Sequence, residues 1–210
     1  MFNFCGIVFL HFLTMLINNT YREKILNALL YFAKNVKYPS KVKIFKLLYF
    51  LDFIHYKETG QSVTNLDYFA WDYGPVPTDL FEELKSGEVP EDFKSHLSIV
   101  PYDRDSQKRG FDFRAKRSPD LKVFSPREER IMEELVFMFK DVTPTQISEI
   151  SHLKNLPWDK TLKTKGKYAK IDYQLAIDQD AKTTKEEAKQ KSEERAEMLA
   201  NFPLKKRLSS

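Results

Sequence analysis

Cysteine is nearly absent from this chain of 210 residues, which contains Cys5 and no other thiol. A single cysteine excludes a disulfide framework, a CxxC redox pair and a cysteine-rich zinc site. With only 6 Gly and 10 Pro, the chain is neither collagen-like nor of low complexity. Its content of 42% hydrophobic and 14% aromatic residues is sufficient for a buried core, and the length predicts one domain with an appendage.

Catalytic signatures are also lacking. The sequence has no G-x-x-x-x-G-K-[ST] phosphate loop, no G-x-G-x-x-G fingerprint and no G-x-S-x-G nucleophile motif. The four histidines lack the spacing of a zinc site: His11, His55, His96 and His152. We therefore expect no catalytic residues, no metal and no cofactor, and a binding protein is favoured over an enzyme.

Positive and negative charges are unevenly distributed along the chain, although the net charge is only +4. Residues 22–58 carry eight basic and three acidic side chains, whereas residues 59–95 carry two basic and eight acidic ones. Two interpretations are open. The segments could form surfaces of opposite sign that steer a partner, or they could pair with each other inside the fold, which is the more ordinary outcome.

The N-terminal segment is apolar, and residues 2–17 carry no formal charge. This run is slightly short for a transmembrane helix, which needs about 20 apolar residues, and it lacks the basic region and cleavage site of a signal peptide. Three interpretations remain: a membrane-associating segment, an extra buried helix, or a start site that truly lies at Met15. We expect residues 1–14 to be a dispensable extension, residues 15–178 to form the domain, and residues 179–210 to form a charged tail that is helical or disordered.

Hydrophobic spacing predicts a mainly α (α+β) fold, in which a helical domain surrounds a central two-faced helix. A first helix is expected from Tyr21 to Asn35. Residues 41–58 form the central helix, with Leu47 and Leu48 on an aliphatic face and aromatic side chains on the opposite face. Alternating residues flank a polar turn at 103–110, which predicts a small antiparallel β-hairpin, and residues 121–124 are expected to add a third strand.

Helix starts are marked by polar caps. Ser125 with Glu128, and Thr143 with Gln146, form capping boxes that have Pro at the first helical position. Met138 is expected to face inward from the first of these helices. Thr78 is expected to cap a short acidic helix after an extended segment at residues 66–77.

Asp52 and His55 lie three residues apart on the central helix, so their side chains can approach each other. A buried pair with satisfied hydrogen bonds, or an Asp52 carboxylate that binds a neighbouring backbone amide, is favoured over catalysis. No third titratable group is placed beside them by the sequence.

Residues 46–85 resemble a known family. They join a K-L-L-Y-F-x-D-x-x-H helix, the polar end K-E-T-G, the segment Y-x-A-W-x-Y-G-P-V-P and an acidic short helix. This pattern resembles the Panacea antitoxin domain, also called the SocA-like domain, and the resemblance extends over about residues 21–156. It implies a mainly helical fold without catalytic residues, in which Leu47, Leu48, Asp52, Gly74 and Pro75 serve as scaffold.

The resemblance also implies a function in a two-gene toxin–antitoxin system. Such an antitoxin neutralises a cognate toxin, often one that blocks translation, by direct protein contact, and in one branch it delivers the toxin to a cytoplasmic protease. We expect partner-binding residues in the aromatic segment and the acidic helix after it: Tyr68, Trp71, Asp72, Tyr73, Glu82 and Glu83. Exposed Trp and Tyr are favoured interface anchors, although each could equally belong to the core.

Two other function classes remain as alternatives. Capped helices beside a basic hairpin could form a winged-helix-like regulator that binds nucleic acid, and the apolar N-terminus could make the chain a membrane-associated factor. The expected partners are a toxin protein and a cytoplasmic protease or chaperone, rather than nucleic acid or a membrane. The single cysteine fits a reducing, cytoplasmic location.

Overall fold

A buried helix, α2 (Lys41–Thr59), forms the centre of the fold in the computed structural model, which describes residues 4–103 and 109–200. The hydroxyl of Ser40 accepts a hydrogen bond from the backbone N–H of Lys43, and Gly60 ends the helix in the left-handed conformation with φ 75°. Aliphatic and aromatic side chains are buried on both faces of this helix, which confirms the predicted central two-faced helix: Ile44, Phe45, Leu47, Leu48, Tyr49, Leu51, Phe53 and Tyr56.

Helices on either side of α2 complete the core. The preceding helix α1 (Phe4–Asn35) and the following helices α5 (Pro126–Phe139) and α6 (Pro144–Ser151) pack against it. Shorter helices connect these elements: α3 (Thr78–Glu83), α4 (Glu91–Lys94) and α7 (Pro157–Lys165). A last helix, α8 (Lys185–Ala200), follows. No helix within the described ranges is long and apolar enough to cross a bilayer.

Two separate antiparallel hairpins lie between the helices. The first pairs β1 (Tyr68–Trp71) with β2 (Gly74–Pro77), and the second pairs β3 (Leu97–Asp103) with β4 (Arg109–Ala115). The second hairpin is the one predicted from alternation, and most of its predicted turn, residues 104–108, lies outside the described residues. The mainly helical fold with small antiparallel sheets is confirmed.

Both predicted capping boxes are present. The Ser125 hydroxyl accepts from the N–H of Glu128, whose carboxylate accepts from the N–H of Ser125, and Thr143 and Gln146 form the same arrangement. A third reciprocal cap joins Thr184 and Glu187 at the start of α8. These boxes satisfy N–H groups that a helix start otherwise leaves without partners.

Several sequence-based predictions of local structure are wrong. Residues 121–123 form a 3-10 turn capped by Asp120 instead of a strand. Met138 is 52% exposed instead of inward, because helix α5 presents Ile131 and Leu135 to the core. Helix α3 begins at Thr78 itself and has no side-chain cap.

The first helix also begins earlier than predicted, at Phe4. Asn18, Asn19 and Thr20 only weakly disfavour a helix interior, and no proline interrupts the segment. Residues 1–3 lie outside the described part of the chain. That the extension formed by residues 1–14 is dispensable stays a prediction.

The charged tail is partly docked onto the domain. Ala188 of α8 is fully buried and packs closely on Gly60 at the end of α2. The ammonium group of Lys191 donates to the carbonyl oxygen of Thr59 at 2.7 Å, where a cation complements the C-terminal end of the α2 dipole. Residues 189–194 are otherwise exposed.

Candidate partner-binding surface

The β1–β2 hairpin is held by three side chains that reach it from other elements. The indole N–H of Trp158 donates to the carbonyl of Trp71 at 3.0 Å, and the hydroxyl of Ser148 donates to the carbonyl of Tyr73 at 3.0 Å. The ammonium group of Lys46 donates to the carbonyl of Pro75 at 2.9 Å. The hairpin tip is therefore fixed by α2, α6 and α7, although it lies on the surface.

A segment after α7 pairs with β1 through an isolated antiparallel bridge between Phe69 and Lys170. The N–H of Tyr168 donates to the carbonyl of Ala70, and the N–H of Ala70 donates to the carbonyl of Ala169. The N–H of Ile171 donates to the carbonyl of Tyr68 at 2.8 Å. This pairing brings Tyr168 to the tip, where its ring lies 6.0 Å from that of Trp71.

The tip carries a cluster of aromatic side chains, which we call the aromatic tip: Trp71, Tyr73 and Tyr168. Tyr73 is 81% exposed and Tyr168 is 60% exposed. Trp71 is half-buried and packs edge-on against Phe81 of α3 at 5.1 Å. Exposed tyrosines beside a supported tryptophan offer contact area with little side-chain entropy to lose, which is typical of an interface anchor.

Sequence reasoning did not identify Tyr168, which is distant in sequence from the hairpin. Its only local signal is the turn at Gly166, where φ is 85°. Tyr168 itself adopts a positive φ of 62°, a conformation that few non-glycine residues take.

Tyr68 is expected from the sequence to contact a partner, but it does not reach the surface of the chain. Its side chain is fully buried, and its hydroxyl donates to a carboxylate oxygen of Asp52 at 2.8 Å. Alternation along β1 turns Tyr68 and Ala70 into the core and leaves Trp71 partly accessible.

The acidic residues predicted for the partner surface are largely paired within the chain. Asp72 lies 2.6 Å from Lys167, Glu83 lies 2.8 Å from Arg22, and Glu82 lies 3.2 Å from Lys85. Six of the eight carboxylates in residues 59–95 form such ion pairs. The three further paired residues are Asp67, Glu91 and Asp92. Four of the six pairs are made by Lys85, Lys94, Lys167 and Lys170, and two by Arg22, which is the only residue of 22–58 that pairs with this segment in the described part of the chain. Pairing between the two segments thus accounts for a minor part of the charge segregation. The aromatic side chains are the more distinctive feature of the surface.

Asp52 organises the core beneath the hairpin. One carboxylate oxygen accepts from the N–H groups of Val63 and Thr64, both at 2.8 Å, and the other accepts from the hydroxyls of Thr64 and Tyr68. Complete burial raises the pKa of Asp52 to about 6, although these hydrogen bonds oppose the shift. His55 bonds the carbonyl of Gln61 at 2.7 Å instead of pairing with Asp52. The structural interpretation of Asp52 fits this geometry.

The other expected scaffold residues are also buried. Leu47 and Leu48 have no exposed surface, and Gly74 and Pro75 are buried in β2.

Lysine, serine and histidine side chains meet beneath Gly74. A Cβ atom added to Gly74 would lie 2.6 Å from the Lys46 ammonium group, 2.7 Å from the Ser151 hydroxyl and 2.8 Å from the His152 ring. Ser151 donates to the carbonyl of Ser148 and Lys46 to that of Pro75, and both side chains are shielded from solvent. These groups thus bind backbone carbonyls under the hairpin, and the arrangement supports the tip.

Burial lowers the pKa of Lys46 to about 7, against 10.5 for an exposed lysine. Because the unfolded chain binds this proton more tightly, stability should rise with pH between about 7 and 10.5. We expect the free energy of unfolding to increase by about 2 kcal/mol from pH 7 to pH 9. Urea unfolding at both pH values measures it, and Lys46→Met should reduce the pH-dependent gain. An equal gain in the variant would assign the effect to other groups.

No cluster of three metal-ligating side chains occurs within residues 4–103 and 109–200. A surface cleft of about 720 Å³ lies between the end of α2 and α8, and none of the aromatic-tip residues line it.

The fold is a mainly helical domain that presents exposed aromatic side chains on a hairpin fixed by α2, α6 and α7. The family model described as "Antitoxin SocA-like, Panacea domain" matches residues 44–159, more than half of the chain. The chain therefore belongs to the SocA-like Panacea antitoxin family. The matched region begins within α2, includes both hairpins and α5–α6, and ends within α7. Comparisons with curated proteins and with solved structures gave no match.

Proposed function

We propose that this chain is the antitoxin of a two-gene toxin–antitoxin system and neutralises a cognate toxin by binding it directly, without catalysis. The aromatic tip is the proposed contact surface. The observation that carries this assignment is the 81% exposure of Tyr73 on a hairpin whose backbone is fixed from three sides. A rigid surface loses little entropy on binding, so its exposed aromatic side chains contribute more of their contact energy to affinity.

The chemistry of the tip indicates the kind of surface that would bind it. Tyr73 and Tyr168 each present an apolar ring with a hydroxyl at its end, so the partner should offer a hydrophobic depression with hydrogen-bonding groups at its edge. The Asp72–Lys167 ion pair lies on the same surface and would form part of the polar rim. We also propose that the toxin blocks translation and that this chain delivers it to a protease or chaperone. The exposed part of α8 is the segment that we propose for such delivery.

The alternative of a winged-helix-like regulator is less well supported. The β3–β4 hairpin packs mainly against α1, whereas the capped helices α5 and α6 pack against α2. Lys116 and Arg117 of the basic segment donate to backbone carbonyls of Lys94 and Ser118. The basic hairpin and the capped helices therefore do not form a shared groove-reading surface in the described part of the chain.

Co-expression with the product of the neighbouring gene tests the proposal. We expect the wild-type chain to restore growth to cells that express the toxin, and a Tyr73→Ser, Tyr168→Ser chain to lose this protection. Two interface tyrosines at about 2 kcal/mol each would weaken binding by about 100- to 1000-fold. Both side chains are exposed, so the variant should melt at nearly the wild-type temperature.

Phe137→Ser is the matched control, because it removes an equally exposed aromatic ring from a different helix. Loss of protection with Phe137→Ser, but not with the tyrosine variant, would move the contact surface to α5. If no neighbouring gene product is toxic, the antitoxin function itself is contradicted.

A further inference from the structure

Phe137 on α5 is 89% exposed, more than any other large hydrophobic residue among those described. Met138 beside it is 52% exposed, so α5 presents two adjacent large apolar side chains instead of the single scattered one that protein surfaces commonly carry. The neighbouring Leu135 and Phe139 are buried, so α5 is firmly packed on its other side. The proposed toxin contact at the aromatic tip does not cover the side chains of Phe137 and Met138.

Two charged residues share the face of α5 that carries Phe137. At 100° per residue, Glu133, Phe137 and Lys140 fall within 60° of one another around the helix. All three are exposed. Within the described residues, neither Glu133 nor Lys140 has an ion-pair partner, whereas the nearby Glu134 pairs with Arg130 at 2.7 Å. The face thus presents an unpaired anion, an aromatic ring and an unpaired cation in that order.

The end of this face is fixed in position. The carbonyl of Lys140 accepts from the N–H of Lys37 at 2.9 Å and from the ammonium group of the buried Lys43 at 3.1 Å. Lys43 also donates to the carbonyls of Lys37 and Val142. Because these bonds hold the helix terminus, the spacing between Glu133 and Lys140 is a rigid property of the surface.

We propose that two copies of this chain associate through α5, antiparallel, about a two-fold axis beside Phe137. The midpoint of Glu133 and Lys140 lies half a residue before Phe137, or roughly 0.75 Å along the helix. A two-fold axis at this midpoint places each Glu133 opposite Lys140 of the second copy and brings the two Phe137 rings together. The surface is therefore complementary to itself, as a two-fold interface requires.

Charge also selects the orientation. A parallel arrangement in register would place Glu133 against Glu133 and Lys140 against Lys140, and both contacts would be repulsive. The antiparallel arrangement makes two attractive contacts from the same residues. Because a single helix face is a small contact area, the dimer should be weak, with a dissociation constant on the order of 10–100 µM.

Sedimentation equilibrium of the full chain from about 5 to 500 µM tests the proposal. The average mass should rise from 24.8 kDa towards twice that value as the concentration increases. Phe137→Ser should remain monomeric, whereas Tyr73→Ser should associate as the wild type does. A monomeric wild type at 500 µM, or association that Phe137→Ser leaves intact, would overturn the proposal.

Charge exchange tests the antiparallel register. Glu133→Lys and Lys140→Glu should each weaken self-association by about tenfold or more, because each turns two attractive contacts into repulsive ones. An equimolar mixture of these two variants should form the mixed dimer, in which both contacts are attractive again. A chain carrying both changes should self-associate like the wild type. If the mixture associates no better than either variant alone, the register is wrong.

Discussion

Gly74→Ala is expected to lower the free energy of unfolding by about 4 kcal/mol, through backbone strain and overpacking together. Gly74 has φ 99°, a conformation that an alanine side chain disfavours. The added Cβ would also lie within 3 Å of polar atoms of Lys46, Ser151 and His152. To relieve these contacts, the β1–β2 hairpin would have to move away from α2 and α6. The variant should therefore also lose binding to the proposed toxin. Urea unfolding followed by circular dichroism measures the loss of stability.

Gly166→Ala is the matched control for this change. Gly166 has φ 85°, yet a Cβ atom there would meet nothing within 4 Å. With ψ −174° it lies in a backbone region that is essentially restricted to glycine, so it should show only the conformational part of the loss, about 1–3 kcal/mol. Equal losses in the two variants would mean that the close contact beneath Gly74 does not contribute.

Asp52→Ala is expected to destabilise the chain by about 3–5 kcal/mol, because it leaves buried donors without an acceptor. The donors are the N–H groups of Val63 and Thr64 and the hydroxyls of Thr64 and Tyr68. The carboxylate joins α2 to the loop before β1 and to β1 itself, so its loss should loosen the base of the hairpin. Urea unfolding followed by circular dichroism measures this loss of stability.

Asp52→Asn separates the hydrogen bonds from the charge. An asparagine oxygen can still accept from the two N–H groups, and the hydroxyls of Thr64 and Tyr68 can rotate to accept from the amide. We expect this variant to lose less than half as much stability as Asp52→Ala. A loss below about 1 kcal/mol for Asp52→Ala would contradict the role of Asp52 as a hydrogen-bonding centre.

The elements that were predicted correctly are those whose signals are local. Ser125 and Thr143 mark helix starts because the cap and its partner lie three residues apart in the sequence. The spacing within residues 41–58 likewise predicts α2, because both faces of the helix recur with the helical period. Burial of Leu47, Leu48, Gly74 and Pro75 agrees with the scaffold positions that the family resemblance implies.

The candidate site could be predicted only in part because its composition depends on long-range packing. Trp71, Asp72 and Tyr73 are neighbours in sequence and meet at the tip. Tyr168 reaches them only through pairing of residues 168–171 with β1. Tyr68 and Tyr73 have the same residue type, but Tyr68 lies in β1 with its side chain in the core, whereas Tyr73 lies in the exposed turn between β1 and β2.

Long-range packing also makes charge a weaker predictor of the candidate site than aromatic content. The sequence shows an acidic segment, but four of its six ion pairs are made by Arg22 of α1 and by Lys167 and Lys170, which are distant in sequence. Only the folded arrangement shows that Arg22 contacts both Glu83 and Asp92.

Hydrogen exchange of the chain, alone and with the proposed toxin encoded by a neighbouring gene, tests the proposed partner surface most directly. We predict slower exchange on binding in two stretches, residues 69–77 of the hairpin and residues 166–170 beside it. The Tyr73→Ser, Tyr168→Ser chain should show no such protection at the same concentrations. Unchanged exchange in both stretches, with protection at residues 133–140 or elsewhere instead, would contradict the assignment of the aromatic tip as the toxin-binding surface.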